Sequence, residues 1–435
     1  MNIYKAVEWI NSLNVADLPY TGITSITCGT KTKNNVNTGE PCIVFGFLNK
    51  KPLQELSAQE IVPATLLING EEVLTDIIEK PISQHLAARN CHVLDPYTEP
   101  VKSNRQRRRP LMGGASSIYI GGTDATLGLM VTDKTDGQVV ALSNCHVYGA
   151  SQILAYYSNS NGAGFTNTYQ ISARQPGTNA YNPWGNVTPS VDYIGNCKRA
   201  VPIGNKDYTL YFNTYINDTS CDAAILSLSS YTTLIDIVSS KNVVGFNVPG
   251  PYQFATDTEI TSLLDPASLN YGAPIFRSGR TVGPVGYPGN NYSCRLSVSE
   301  FGLELVGTYS GYASFFSNCF TFVGQEYPDG ISPGAGGDSG SAVFALLSAN
   351  SITLSAWKAI GLLFAGPNAA YPQYSIGCRI TKVMDDLDVV PWNGVIPTLS
   401  ATTQLVTLSS SQIQPWSTSA VITLSGRKYY QLGRA

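Results

Sequence analysis

The residues with the clearest capacity for chemistry are Gly336-Gly337-Asp338-Ser339-Gly340-Ser341, which lead straight into the apolar run 342–347. Glycine removes the Cβ from a loop, so backbone N–H groups can turn inward toward one point. The N–H groups of Gly337 and Ser339 are then candidates for an oxyanion hole beside a hydroxyl, which is what acyl transfer requires. A serine hydroxyl is a weak nucleophile at neutral pH and needs a neighbouring base. The chain has three histidines, His85, His92 and His146. His146 ends the run Ala141-Leu142-Ser143-Asn144-Cys145-His146, after a hairpin pattern with apolar stretches at 126–132 and 138–142 and a turn at 133–137 that holds Asp136-Gly137. The imidazole in turn needs a buried carboxylate to orient it. Asp222 stands at the mouth of the apolar stretch 223–226, where a lone carboxylate would be costly without a partner. Asp192 in Val191-Asp192-Tyr193-Ile194 is the rival. Its neighbours are less continuously apolar, so Asp222 is preferred. The bland readings are a glycine turn with an exposed serine and a hydrogen-bonded core histidine.

In chain order, Leu142-Ser143-Asn144-Cys145-His146, Asp222-Ala223-Ala224-Ile225-Leu226 and Gly337-Asp338-Ser339-Gly340-Ser341 resemble the three signatures of the chymotrypsin/trypsin-like serine proteases. Arg109-Pro110-Leu111-Met112-Gly113-Gly114, Thr126-Leu127-Gly128, Gln175-Pro176-Gly177, Ser278-Gly279-Arg280-Thr281-Val282-Gly283 and Gly361-Leu362-Leu363-Phe364-Ala365-Gly366 look like a bacterial and phage branch of that group, to which the plant narrow-leaf trypsin-like protein is related. The resemblance spans about residues 20–395. It implies a mainly β fold with two six-stranded antiparallel barrels. The first would run to about 240 and hold His146 and Asp222, the second would hold Ser339, and the three would meet in the cleft between them. His146 would be the base, Asp222 its orienting carboxylate and Ser339 the nucleophile. Asp338 would stabilise the loop by pairing with a positive group, and no Ile/Val-Gly-Gly start that could supply a new N-terminus follows the arginine cluster.

The same resemblance bears on substrate choice. The residue six before the serine lies at the base of the family's specificity pocket, and here it is Pro333 rather than an acid. Phe364, Ala365 and Gly366 would form a wall like the family's substrate strand. A small or medium apolar side chain fits such a pocket better than lysine or arginine. The expected activity is a serine endopeptidase acting on a protein or peptide, with no cofactor and no metal. The second reading is a virion-associated or structural protein that carries the protease fold for assembly or binding.

A chain of 435 residues has room for two or three domains. The expected division is a small α+β domain over 1–104, a basic linker over 105–111, the protease domain over 112–395 and a Ser/Thr-rich, β-forming tail over 396–435. In the first domain Ile3, Ala6, Val7, Ile10 and Leu13 follow helical spacing. Strands are expected at 42–48, 66–68 and 73–78, with a polar turn at 34–41. Arg105-Gln106-Arg107-Arg108-Arg109 is read as a solvated linker. The long Tyr/Asn/Gly-rich segment 151–219 should contain strands of its own, and strands are expected in the tail at 404–408 and 420–424. A net charge of −3 with 13% charged residues gives no pull toward nucleic acid. No stretch approaches a membrane span, and the first ten residues lack the apolar core of a signal peptide. A cytoplasmic or virion-associated place is therefore favoured over classical secretion, and a homo-oligomer or virion assembly stays open. The nine scattered cysteines suggest mostly reduced, buried thiols, and the adjacent pair Cys91-His92 is not read as a metal site.

Overall fold

The computed structural model describes residues 2–13, 18–33, 36–58, 60–85, 104–106, 111–119, 124–148, 172–175, 192–201, 206–207, 221–228, 253–286, 295–307, 312–325, 334–347, 357–366, 374–392, 419–424 and 427–432. The fold is mainly β, and nearly all strand pairs are antiparallel. Residues 1–396 form one compact unit and residues 397–435 a second. Among the described residues the second unit is a hairpin of Ser419–Leu424 and Arg427–Leu432. The strand expected at 404–408 lies outside the described residues. No described helix is long and apolar enough to cross a membrane.

Within the first unit, an eight-stranded sheet holds the His146 and Asp222 regions. Its strands, in spatial order, are Val389–Pro391, Leu129–Asp133, Val139–Ser143, Ala224–Leu228, Tyr193–Ala200, Ser172–Arg174, Ser116–Tyr119 and Asp124–Thr126. The hairpin read at 126–142 is present as Leu129–Asp133 and Val139–Ser143, joined by the turn in which the Gly137 N–H donates to the Asp133 carbonyl at 2.8 Å. Val139 to Leu142 are apolar at every position rather than alternating, which reflects burial of that strand on both faces.

A fourteen-stranded sheet holds the Ser339 region, centred on Ala342–Leu346, Trp357–Gly366, Tyr374–Arg379, Ile275–Gly279, Arg295–Gly307 and Tyr312–Gln325. The N-terminal segment joins this same sheet. Ile23–Lys33 pairs with Arg295–Gly307 on one side and with Val36–Phe47 on the other. Glu71–Glu79 continues beyond Val36–Phe47 in parallel, and Thr65–Ile68 closes that end. Helix Ile3–Ser12 starts at Asn2, whose side chain accepts the Tyr4 and Lys5 N–H groups, and it buries Ile3, Ala6, Val7 and Ile10. The 3.6-residue spacing therefore marks a real core face. The boundary expected near residue 104 does not interrupt the sheet, because hydrogen bonding between Ile23–Lys33 and Arg295–Gly307 spans it.

Two local expectations are corrected. The polar stretch 34–41 is not all turn: Val36–Phe47 is one strand, with Thr32 opposite Asn37 and Lys33 opposite Val36. Its first residues are exposed and held by ladder bonds and by the Thr38 hydroxyl donating to the Lys31 carbonyl at 2.9 Å, so polarity there says nothing against a strand. Arg105 is not a solvated linker residue. It is buried, with its Nε donating to the Arg280 carbonyl at 3.5 Å, beside Asn104, whose amide donates to the Gly114 carbonyl and the Ser278 hydroxyl. Residues 107–110 lie outside the described residues.

Asp133 organises the hairpin turn in a way its sequence position does not announce. It is fully buried and accepts bonds from Arg199 Nη1 and Nη2 at 3.0 and 2.7 Å, from the Thr135 N–H and hydroxyl at 2.9 and 2.7 Å, and from Lys198 Nζ. Burial alone would raise its pKa, but the bonds from Arg199, Lys198 and Thr135 outweigh it and hold the carboxyl below the usual range. A depressed carboxyl stabilises the fold fully above the unfolded-chain value of about 3.9 and loses that contribution as pH falls toward its folded value. Asp133→Asn is therefore expected to cost about 2–3 kcal/mol at pH 7 in urea unfolding, and the gap from wild type should narrow progressively as pH falls below about 3.9. A gap that stays constant down to pH 2 would exclude the ionic account.

Candidate active site

His146 lies in the short helix Cys145–Tyr148 that follows Val139–Ser143. Asp222 precedes Ala224–Leu228, the strand paired beside Val139–Ser143 with Ala224 opposite Ser143. Neighbouring strand ends thus bring the two side chains together. Asp222 Oδ1 accepts the His146 backbone N–H at 3.0 Å, Oδ2 makes a short contact with His146 Nδ1, and the Asp222 carbonyl accepts the Asn144 side-chain amide at 2.6 Å. Asp222 is fully buried and His146 nearly so. The carboxylate grips the histidine by main chain and ring at once, which fixes the ring plane and favours a proton on Nδ1. Asp192, the rival, precedes the strand Tyr193–Ala200, whose other end, Ala200, lies opposite Ala224, and its carbonyl accepts the Gln175 N–H at 2.9 Å.

Ser339 is buried at the head of Ala342–Leu346, on the other sheet. Its hydroxyl lies 3.4 Å from the Phe364 carbonyl. The loop is tied to the His146 sheet by Thr126. The Thr126 N–H donates to the Ser339 carbonyl at 2.9 Å, its hydroxyl donates to the Gly337 carbonyl at 2.8 Å, and its own carbonyl takes the Ser143 hydroxyl at 2.8 Å. Gly340, at φ +91°, packs so closely on Ser143 and Thr126 that a Cβ there would overlap both. Ser143 is three residues before His146, so the serine loop abuts the end of the histidine strand.

Each peptide plane of the loop is pinned. A trans peptide directs its C=O and N–H to opposite sides. Thr281 Oγ1 donates to the Gly336 carbonyl at 2.6 Å, which turns the Gly337 N–H away from Thr281. The Ser341 N–H donates to the Asp338 carbonyl at 3.0 Å, which turns the Ser339 N–H away from Ser341. Gly337 adopts φ +92°, a conformation that disfavours any residue with a Cβ.

Asp338 is held from four sides inside the protein. Oδ1 accepts the Thr281 and Val282 N–H groups at 2.7 and 3.2 Å, and Oδ2 accepts the Ala335 N–H at 3.0 Å and pairs with Arg277 Nη2 at 3.1 Å. Arg277 and Asp338 are both fully buried. Arg277 escapes motif reading because it sits just before the recognisable Ser278–Gly283 stretch, yet Ile275-Phe276-Arg277 carries a signal of its own. A cation in an otherwise apolar strand must find a buried anion. Arg280 Nη2 likewise pairs with Asp124 at 2.7 Å, a second buried pair across the two sheets.

Phe364 and Ala365 are fully buried on Trp357–Gly366, and the Phe364 ring lies 4.9 Å from that of Phe316. Pro333 lies outside the described residues, as do Cys91 and His92. The seven described cysteines are all buried and unbridged. Cys145, next to His146, has its thiol pushed well up by burial and by the Asp222 charge, and burial pushes the Cys378 thiol up to about 12. Neither supplies a thiolate near neutral pH.

No family model matches the chain. No curated protein matches it either. Among solved structures it is similar to a glutamic-acid-specific serine protease described as using a histidine triad in substrate binding, at 13% identity over 65% of this chain and 100% of that one, with a TM-score of 0.36. The class that the chain's own sheets define is a mainly β fold, with largely antiparallel sheets and the histidine and serine loops on different ones.

Proposed function

We propose that the protein is a serine endopeptidase of the bacterial and phage branch that its motifs resemble. The observation that carries this reading is the double hold of Asp222 on His146, next to a serine loop fastened to the same sheet through Thr126. In the reaction, Ser339 Oγ attacks the scissile carbonyl while His146 Nε2 takes the hydroxyl proton. Asp222 keeps the ring in place and stabilises the imidazolium. The Gly337 and Ser339 N–H groups receive the oxyanion. His146 then gives the proton to the leaving amine, which departs and leaves an acyl-enzyme. Water, deprotonated by His146, attacks the ester and frees Ser339. A fluorophosphonate tests the reading directly. It should add once per chain, on the peptide containing Ser339, and failure to label that peptide would sink the enzyme.

Cleavage is proposed to follow small or medium apolar residues. The walls at Phe364 and Ala365 are apolar and buried, and the position six before the serine is Pro333. A lysine or arginine entering such a pocket loses its hydration without a carboxylate to offset it, whereas an apolar side chain gains roughly 25 cal/mol per Å² it buries. Matched peptides that differ only at the residue before the scissile bond should show kcat/KM favouring leucine or alanine. A preference of about tenfold for arginine, worth about 1.4 kcal/mol in the transition state, would mean that a charge lines the pocket.

A further inference from the structure

The end of Trp357–Gly366 is paired on both edges. On one edge Ala365 lies opposite Ile376. On the other edge is a strand from far earlier in the chain, Ser83–His85, running antiparallel with His85 opposite Ala365 and Gln84 opposite Gly366. Ser83 and Gln84 of the same strand also pair in parallel with Val306 and Gly307. Counting back from Gly366 through Ala365, the next residue is Phe364, whose carbonyl lies 3.4 Å from Ser339 Oγ. A strand in this register therefore advances, in its N-to-C direction, toward the nucleophile. An extended peptide adding to a sheet edge makes these same main-chain contacts.

The resemblance already makes the strand at Phe364, Ala365 and Gly366 the expected backbone contact for a peptide substrate; we propose that Ser83–His85 is a built-in occupant of this edge, which competes with extended peptides for it. The inference rests on the protease reading. The occupant is tethered close by. Lys80, three residues before Ser83, is buried with its Nζ 2.6 Å from Glu304 Oε1 and 3.2 Å from Glu300 Oε2, and the Lys80 carbonyl accepts the Thr24 hydroxyl at 2.9 Å. The Lys80 N–H donates to the Phe47 carbonyl at 2.9 Å. The Ser83 hydroxyl lies 3.4 Å from the Tyr374 hydroxyl. A segment anchored this near its site acts at an effective concentration on the order of millimolar, so a free peptide must outcompete it. A single-residue ester or a small fluorophosphonate needs only the serine and the pocket, not the edge at Ala365 and Gly366.

The experiment compares the full chain with Gln84→Pro. Proline inside a strand paired on both sides removes a ladder donor and clashes with its neighbours. Gln84→Pro should lower KM for a blocked tetrapeptide substrate tenfold or more, with kcat within about twofold and with an unchanged rate of fluorophosphonate addition to Ser339. An unchanged KM together with an unchanged labelling rate overturns the inference while leaving the protease reading standing. If Gln84→Pro fails to fold, the wild type decides through hydrogen exchange, with and without a tetrapeptide aldehyde ending in leucinal. Faster exchange over residues 83–85 on binding supports displacement of the strand, and unchanged exchange there overturns it. Absence of labelling at Ser339 in the wild type would instead overturn the protease reading, and this inference with it.

Discussion

Replacing Ser339 by alanine is expected to abolish fluorophosphonate labelling and to lower kcat by a factor on the order of 10⁴–10⁶, with KM for peptides little changed. On the proposed mechanism the loss reflects removal of the group that forms the acyl bond, while Phe364 and Ala365, the proposed pocket wall, stay buried in their strand. Asp222→Asn should fall nearly as far, on the order of 10⁴ in kcat, for a different reason. The carboxylate takes both the His146 backbone N–H and Nδ1. An amide still accepts one of these bonds, but it presents an NH₂ group as readily as an oxygen and favours the wrong tautomer. It also withdraws the negative charge that stabilises the imidazolium. The two variants should differ in labelling: Ser339→Ala loses it altogether, and Asp222→Asn slows it. Full activity in Asp222→Asn would remove Asp222 from the mechanism. Activity retained in Ser339→Ala would remove the acyl-enzyme.

The parts that could be read from sequence are those set by local patterns. Helix Ile3–Ser12 follows from apolar spacing, and the Leu129–Asp133/Val139–Ser143 hairpin from two apolar runs around Asp136-Gly137. Asp222 declares itself as a carboxylate at the start of a buried strand, where it must be paired. Long-range pairings leave no such trace. Nothing near Ser83 marks it as a partner of Val306 and Ala365's strand, because a three-residue strand has too few positions to show a period. Ile23–Lys33 gives no sign that its neighbour is Arg295–Gly307 rather than another strand of its own segment. The exposed end of Val36–Phe47 reads as turn because its residues are polar, although the ladder holds them extended. Thr126 stands in the quoted stretch Thr126-Leu127-Gly128, but its role in fastening the serine loop leaves no trace for a related reason. Its value lies in three hydrogen bonds to residues 143, 337 and 339, and threonine in a strand is ordinary.

Arg277→Met is expected to destabilise the protein by about 3–5 kcal/mol, because it strands the buried Asp338 carboxylate without its countercharge. Three backbone N–H groups would still reach Asp338, from Thr281, Val282 and Ala335. They soften the loss but carry no net charge. Asp338→Asn alone should cost a similar amount by stranding Arg277. The double variant should recover most of the loss, since replacing both members of a buried pair by neutral groups is often close to neutral. Urea unfolding of the four proteins forms a double-mutant cycle, and simple addition of the two single losses would show that the pair is not coupled. The same pair makes an argument about activation. Asp338 lies between the two proposed oxyanion donors, and the positive charge that steadies it comes from Arg277, within the strand Ile275–Gly279. The loop therefore needs no chain terminus created by cleavage to take its shape. Fluorophosphonate should label Ser339 in chains whose intact mass corresponds to all 435 residues. Arg277→Met should lose labelling rate even in denaturant-free buffer where it remains folded, and Asp338→Asn with Arg277→Met should regain part of it. Labelling confined to shortened chains would mean that a freed N-terminus, rather than Arg277, completes the loop.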